Sequence, residues 1–274
     1  MNQKPSGGPV KWLLIGISVL FLAVMLVLPL IYVLATAFRE GWSAYVKAVT
    51  DPYAIKAVQL TLQATAAALI INTIFGIFAA WCITRFQFRG KKVLSTFIDL
   101  PLTVSPIIAG LIYVLTFGRQ SALYPLLQRY NITIIYAVPG IVLATVFVTF
   151  PFISREIIPV LTAAGTEEEE AAALMGANGW TIFWKVTFPH IKWALLYGMV
   201  LCTARAMGEF GAVSVLSGHL RGKTNTMPLY IELLYQGYDF TGAFAMSSIL
   251  VLMAILVLIL RSVLEVLGRK DHEV

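Results

Sequence analysis

Few residues of this sequence could do chemistry, and the ionisable residues Arg205 and Glu209 are the clearest candidates. They lie four residues apart in a long apolar stretch, so a helix would place both on one face. Ionisable side chains inside a membrane are costly and usually face a cavity or each other. The pair is therefore either an internal ion pair that fixes packing, or a cation beside an anion path that Glu209 holds or masks. Ser214 and Ser217 in the same small-residue segment suit either tight helix contacts or a polar pore wall.

The loop after this stretch carries the basic residues His219, Arg221 and Lys223. Gly222-Lys223-Thr224 has the ending of a phosphate-binding P-loop, but that motif has an earlier glycine, separated by four residues from its Gly-Lys pair. Ser217 occupies that position and no β-strand pattern precedes it, so we expect no nucleotide site here. The basic side chains either form a solvated surface or meet an incoming anion or an extracytoplasmic partner.

A second chemical feature is the run of glutamates from 167 to 170, which is followed by alanines and Gly176. Thr166 with Glu169 three residues later has the pattern of a capping box, and acidic residues suit the first turn of a helix. Gly176 is expected to end or bend this helix. The segment is either a solvated surface hairpin or a helix whose alanine and glycine face is offered to a partner.

Composition indicates what kind of protein positions these residues. Of 274 residues, 59% are apolar and 12% charged, and the mean hydropathy is +0.83. Soluble domains carry about 25% charged residues, so we predict an integral membrane protein and exclude a soluble enzyme, a disordered chain and a secreted disulfide scaffold. The net charge of +6 then reflects topology, and no nucleic-acid partner is expected. Cys82 and Cys202 lie in apolar stretches as packing residues, and no metal site is predicted.

Apolar segments long enough to cross a bilayer predict an all-α protein with six transmembrane helices. The first follows basic residues, as a signal peptide does, but its apolar stretch is too long for one, so we expect it to be retained. The predicted spans are 12–37, 59–84, 93–117, 134–155, 193–217 and 242–265.

The distribution of basic residues predicts the orientation. With the N-terminus inside, twelve of the 20 lysines and arginines, Lys4 among them, lie on the cytoplasmic side, seven lie outside, and Arg205 lies within a span. Positive charge favours the cytoplasmic side, so both termini are predicted to be cytoplasmic. We divide the chain into a tail, first helix and outer loop (1–58), a core (59–265) and a cytoplasmic tail (266–274).

The segment from Glu170 to Pro189, EAAALMGANGWTIFWKVTFP, resembles the EAA motif of ABC importer permeases. It has Glu-Ala-Ala, a glycine six residues after the glutamate, and an apolar segment closed by proline. The resemblance implies a coupling helix at about 167–181, in the cytoplasmic loop between spans four and five. It further implies that the residues docking into an ATP-binding subunit are Glu170, Ala171, Ala172 and Gly176.

The stretch from Ala204 to Phe240 resembles CysW-type permeases of sulfate/thiosulfate ABC importers, and the likeness covers about residues 55 to 265. The resemblance implies a type I importer permease with a MetI-like fold in the bacterial inner membrane. The implied partners are a CysT-type permease, two CysA-type ATP-binding subunits and an extracytoplasmic sulfate/thiosulfate-binding protein. This chain would hold no cofactor and no catalytic residue, because ATP and Mg²⁺ would bind to the ATPase subunits.

Two other functions remain open at this point. The chain could be a permease for another oxyanion such as molybdate, or a stand-alone secondary anion transporter, although no internal repeat supports the latter. An intramembrane enzyme is not expected, since the spans contain no HExxH, serine–histidine or carboxylate cluster.

Overall fold

The computed structural model describes residues 9–272, with side chains described for 10–268; the predicted tail residues 1–8, including Lys4, and 273–274 lie outside the described residues. Regular structure in the described part is helical. Two π-helical segments join neighbouring helices, Ala23–Val27 between the first two and Phe183–Thr187 before α12. The α-helices are α1 (Pro9–Leu22), α2 (Leu28–Ala37), α3 (Trp42–Val49), α4 (Pro52–Arg85), α5 (Lys91–Thr103), α6 (Pro106–Phe117), α7 (Tyr124–Arg129), α8 (Val138–Thr149), α9 (Pro151–Ala164), α10 (Glu167–Leu174), α11 (Gly179–Ile182), α12 (Phe188–Met207), α13 (Gly211–Ser217), α14 (Met227–Gln236) and α15 (Phe240–His272).

The helices long and apolar enough to cross a membrane agree with the predicted all-α membrane fold. Within the described residues, four continuous segments qualify: Val10–Ala37, Pro52–Arg85, Val138–Ala164 and Phe240–Gly268. Two bent pairs qualify when each pair is taken as one span, which gives up to six spans. These pairs are α5 with α6, bent by 110°, and the segment Gly179–Met207 with α13, bent by 52°.

The predicted spans three and five are each broken helices and not continuous ones. In span three the backbone leaves the helix at Val104 (ψ 134°) and Ser105 (ψ 132°), directly before Pro106. A proline ring disfavours helical geometry in the residue before it, so the chain turns and α6 restarts at the proline. In span five the helix ends at Met207 and restarts at Gly211. The predicted boundary between residues 58 and 59 also falls inside a helix, because α4 begins at Pro52 with Asp51 as its N-cap.

Small residues allow the central helices to approach closely. A Cβ atom on Gly76 of α4 would lie 2.9 Å from Cγ2 of Ile153, and one on Gly198 of α12 would lie 3.0 Å from Cα of Ile153. Both glycines thus face the same residue of α9, which is fully buried. Membrane helices associate through this kind of close packing, because lipid supplies no hydrophobic force between them.

A buried amide joins three of these helices. Asn72 of α4 donates from Nδ2 to Thr149 Oγ1 at 2.7 Å and to the Val146 carbonyl at 3.2 Å, both in α8. The Sγ atom of Cys202 on α12 lies 3.8 Å from the same nitrogen. Cys202 is buried and both cysteines are free. The polar contacts fix how α4, α8 and α12 are rotated against one another.

The bent pairs contact each other through reciprocal glycines. A Cβ on Gly110 of α6 would lie 2.8 Å from the carbonyl oxygen of Ala212, and one on Gly211 would lie 3.0 Å from Cβ of Pro106. The backbones of α6 and α13 therefore approach closely, because neither glycine places a side chain in the contact. The second halves of spans three and five form one packed unit.

Candidate functional site

The EAA hairpin, residues 166–187, begins with α10, and its first turn differs from the predicted capping box. Thr166 makes no side-chain hydrogen bond to the helix backbone. Its hydroxyl donates instead to Oε1 of Glu170 at 2.7 Å, and its backbone (φ −116°, ψ −4°) lacks the extended geometry of a cap. The capping box is therefore wrong, because Glu169 has other partners.

Gly176 ends α10, as the sequence predicts. Its φ of +86° is a left-handed conformation, and its amide donates to the Ala173 carbonyl at 2.9 Å. The amide of Ala177 donates to the Ala172 carbonyl at 3.0 Å, which completes a Schellman motif. The helix expected over 167–181 consequently consists of two helices joined by a turn.

Glu169 is the part of the hairpin that sequence reasoning missed. Nη2 of Arg85 donates to its Oε1 at 3.0 Å, Nε of Arg85 lies 2.8 Å from its Oε2, and Thr187 donates to Oε1 at 2.8 Å. Nη1 of Arg85 donates to the Leu161 carbonyl at 2.9 Å. Glu169 is thus joined to α4 and to Thr187, the last residue of the hairpin, directly before α12, and Arg85 extends the link to α9. A basic residue at the end of span two was the available signal for this pairing.

The far end of the hairpin presents large apolar side chains to its surroundings. Leu174 is 91% exposed, Met175 83% and Trp180 73%. Among the predicted docking residues, Glu170, Ala171 and Gly176 are exposed with them, whereas Ala172 is buried and packs inward. The exposed residues around the turn form one surface, which we call the hairpin tip: Ala171, Leu174, Met175, Gly176 and Trp180.

Aromatic contacts hold the base of the hairpin against the transmembrane helices. The rings of Trp81 on α4 and Phe183 have centroids 5.7 Å apart, and the ring of Trp184 lies 5.0 Å from that of Phe188. The tip is therefore open while the base is anchored.

The structure brings Arg205 and Glu209 together at the bend of span five. Nη1 of Arg205 lies 2.6 Å from Oε2 of Glu209, and Oε1 of Glu209 accepts the amide of Ala212 at 2.9 Å. Ser214 donates to the Gly211 carbonyl at 2.9 Å and is half-buried. Ser217 is fully buried and its hydroxyl accepts the amide of His219 at 3.1 Å, so this serine serves the turn that follows α13.

The basic loop residues have different surroundings. Arg221 stacks over the ring of Tyr53 at 4.5 Å and lies 5.9 Å from that of Tyr230. Burial raises the pKa of Tyr230, whose phenol donates to Asp51 at 3.2 Å. His219 and Lys223 are exposed. Arg221 therefore holds the loop against the start of α4, and the other two side chains remain at the surface.

Within residues 9–272 there is no group of three or more His, Cys, Asp or Glu side chains that could hold a metal ion. Residues 72–270 match the family of binding-protein-dependent transport system inner membrane components. The chain belongs to this family. Its membership agrees with the resemblance carried by the EAA segment.

Curated relatives of this family member are similar over nearly the whole chain. It is 48% identical to the sulfate transport system permease protein CysW of Escherichia coli K12, over 93% of this chain and 88% of that protein. It is also 48% identical to CysW of Synechococcus elongatus, over 92% of this chain and 88% of that protein. It is 34% identical to the sulfate transport system permease protein CysT of Escherichia coli K12, over 89% of this chain and 88% of that protein.

A solved structure confirms the fold. A chain of a bacterial ABC transporter that imports the polysaccharide alginate aligns with a TM-score of 0.76, covering 95% of this chain and 96% of that one. Sequence identity is 18%, so this likeness concerns the fold alone.

Proposed function

We propose that this chain is the pore-forming permease subunit of an ATP-driven sulfate/thiosulfate importer. The substrate follows from 48% identity to sulfate permeases over 93% of the chain. The observation that carries the mechanism is the EAA hairpin, whose base is anchored to α4 through Arg85 and Trp81 while its tip is exposed.

The hairpin tip is the surface that docks onto an ATPase subunit. Leu174, Met175 and Trp180 would be costly to leave in water, and burying each in a partner cleft stabilises the complex by about 1.5–3 kcal/mol. Ala171 and Gly176 add no bulk, so a partner surface can approach the α10 backbone closely. Closure of two CysA-type ATPase subunits on ATP would push the tip, and the anchored base would carry that displacement into the membrane helices.

This chain is not itself an enzyme, since relatives in its family are membrane components of transporters. ATP and Mg²⁺ bind to the ATPase subunits in this proposal. A CysT-type permease completes the pore, and an extracytoplasmic binding protein delivers the anion. The chain spans the bacterial inner membrane with both termini in the cytoplasm, which places Arg85 and the EAA hairpin on the side where ATP is found.

Arg205 is the proposed cation of the anion path. Its side chain is 33% exposed, whereas that of Glu209 is 1% exposed, so the carboxylate is withdrawn from the surface that the guanidinium presents. A doubly charged oxyanion is best held by hydrogen-bond donors and positive charge, and Glu209 masks Arg205 until an anion competes for it. Exposed His219 and Lys223 would meet the incoming anion or its binding protein.

Purification of the chain from its native membrane tests the proposal. We expect a second permease and an ATPase to co-purify, and the reconstituted complex to import sulfate only with ATP and the binding protein present. Uptake without an ATPase partner would establish a secondary transporter instead. Inhibition of sulfate uptake by molybdate or thiosulfate in the same vesicles determines which oxyanions the pore accepts.

A further inference from the structure

The glutamates of α10 make three different kinds of contact. Glu168 pairs with His190 at 2.8 Å on the surface, with side-chain exposures of 67% and 41%. Glu170 accepts from Thr166 at the start of the same helix. In the described part of the chain, Glu169 is the glutamate of this run that reaches α4, through Arg85.

The Arg85–Glu169 pair is largely removed from water. Its side chains are 9% and 16% exposed, and Thr187, which also donates to Glu169, is 1% exposed. Hydrogen bonds to charged groups in such surroundings are short and directional, and a guanidinium fixes a carboxylate in one geometry. Breaking one partner leaves an uncompensated charge, so the contact opposes separation of the groups that it joins.

The pair joins four separate segments at one point. Arg85 is the last residue of α4 and donates to Leu161 of α9, while Glu169 belongs to α10 and accepts from Thr187, which ends the π-helical segment before α12. A force on the hairpin tip therefore reaches α4 through Arg85, and not only α9 and α12 through the continuous backbone.

We propose that Arg85 and Glu169 are positioning residues that transmit displacement of the hairpin to α4, so that ATP hydrolysis and anion movement stay coupled. This inference rests on the proposed function. Without the link the hairpin can move while α4 stays behind, and ATP is hydrolysed without transport. Neither residue need touch the anion or the nucleotide.

The test uses the complete complex in proteoliposomes, with Glu169→Gln and Arg85→Met as variants. Glu168→Gln is the matched control, because it removes the same charge from the same helix at an exposed pair. We expect normal co-purification of the ATPase, basal hydrolysis retained, and sulfate imported per ATP lowered by about 2- to 30-fold in both variants, the range seen for mutations along coupling networks. Glu168→Gln should match the wild type.

An assembled Glu169→Gln or Arg85→Met complex with wild-type coupling overturns the inference. Should both variants fail to assemble, Arg85→Lys is the deciding variant. It keeps the positive charge but lacks the planar guanidinium that contacts Leu161 and Glu169 at the same time. Wild-type coupling in that variant, or its failure to assemble, shows that the pair serves folding alone and overturns the proposal. Failure of the wild-type complex to import sulfate would instead overturn the proposed function.

Discussion

Arg205 and Glu209 form an ion pair, with 2.6 Å between Nη1 and Oε2, where α12 gives way to α13. The carboxylate is almost fully buried and also accepts the amide of Ala212, whereas the guanidinium is one-third exposed. At the bend of span five, a buried carboxylate is thus paired with a guanidinium that is partly exposed. Either an anion path or a structural ion pair fits this geometry, and substitutions separate the two.

Arg205→Ala is expected to impair sulfate transport more than assembly. Removing one partner of a buried pair costs about 3–5 kcal/mol, and the exposed side of Arg205 reduces that cost here. Thermal unfolding in detergent and uptake in vesicles measure the two effects separately.

The double variant Arg205→Met with Glu209→Gln is the control, because it leaves no unpaired charge and the introduced side-chain amide can still accept the backbone N–H of Ala212. Stability should return while transport stays low. If uptake returns to the wild-type rate, the pair is structural and the anion passes elsewhere.

Leu174→Glu is expected to weaken ATPase association by about 1.5–3 kcal/mol or more, the contribution of a buried leucine, without harming the fold. The side chain is 91% exposed, so it supports nothing within this chain. Leu174→Met, which stays apolar, should retain association. Co-purification at graded salt measures the difference, and equal recovery of both variants would contradict docking at the tip.

The cost in stability of substituting Gly176 should depend on backbone conformation more than on side-chain volume. No atom lies within 4 Å of a Cβ built there, but φ is +86°. Gly176→Ala is therefore expected to cost about 1–2 kcal/mol, while Gly176→Asn costs less because asparagine tolerates this region. A bulky acidic residue at the same site should reduce ATPase association with membrane insertion intact, and normal co-purification would refute a docking role for Gly176.

Gly110→Ala should loosen the contact between α6 and α13. The added methyl would lie 2.8 Å from a backbone oxygen that cannot yield, and overpacking of this kind costs about 1–3 kcal/mol. Gly16→Ala is the matched control, since nothing lies within 4 Å of that position in α1. A lowered melting temperature for Gly110→Ala alone is expected, and equal melting temperatures would exclude close packing there.

Hydropathy predicted where the spans lie in the sequence but not where their helices bend. The apolar stretch 93–117 is long enough for one helix, yet α5 and α6 meet at 110°. The break between them is caused by Pro106, which follows two residues in extended conformation. The size of the turn depends on what α6 packs against, and Ala212 lies in a distant part of the chain, beyond any local pattern.

The sequence predicted the end of α10 correctly but not the contacts at its start. Gly176 terminates α10 through local geometry that a sequence pattern captures. The sequence pattern pairs Glu169 with Thr166 in a local cap, but Arg85, 84 residues earlier, competes for the same carboxylate. A charged partner gives a stronger hydrogen bond than a backbone amide, so the distant contact prevails.

The reciprocal glycines Gly110 and Gly211 also bear on how permeases of this family can be recombined. Each glycine is matched to the close surface of the opposite helix, so neither surface fits a foreign partner that carries a larger side chain at the contact. Chimeras with another permease should therefore exchange residues 106–117 and 211–217 together. Swapping either segment alone would bring two surfaces together that were never selected to fit.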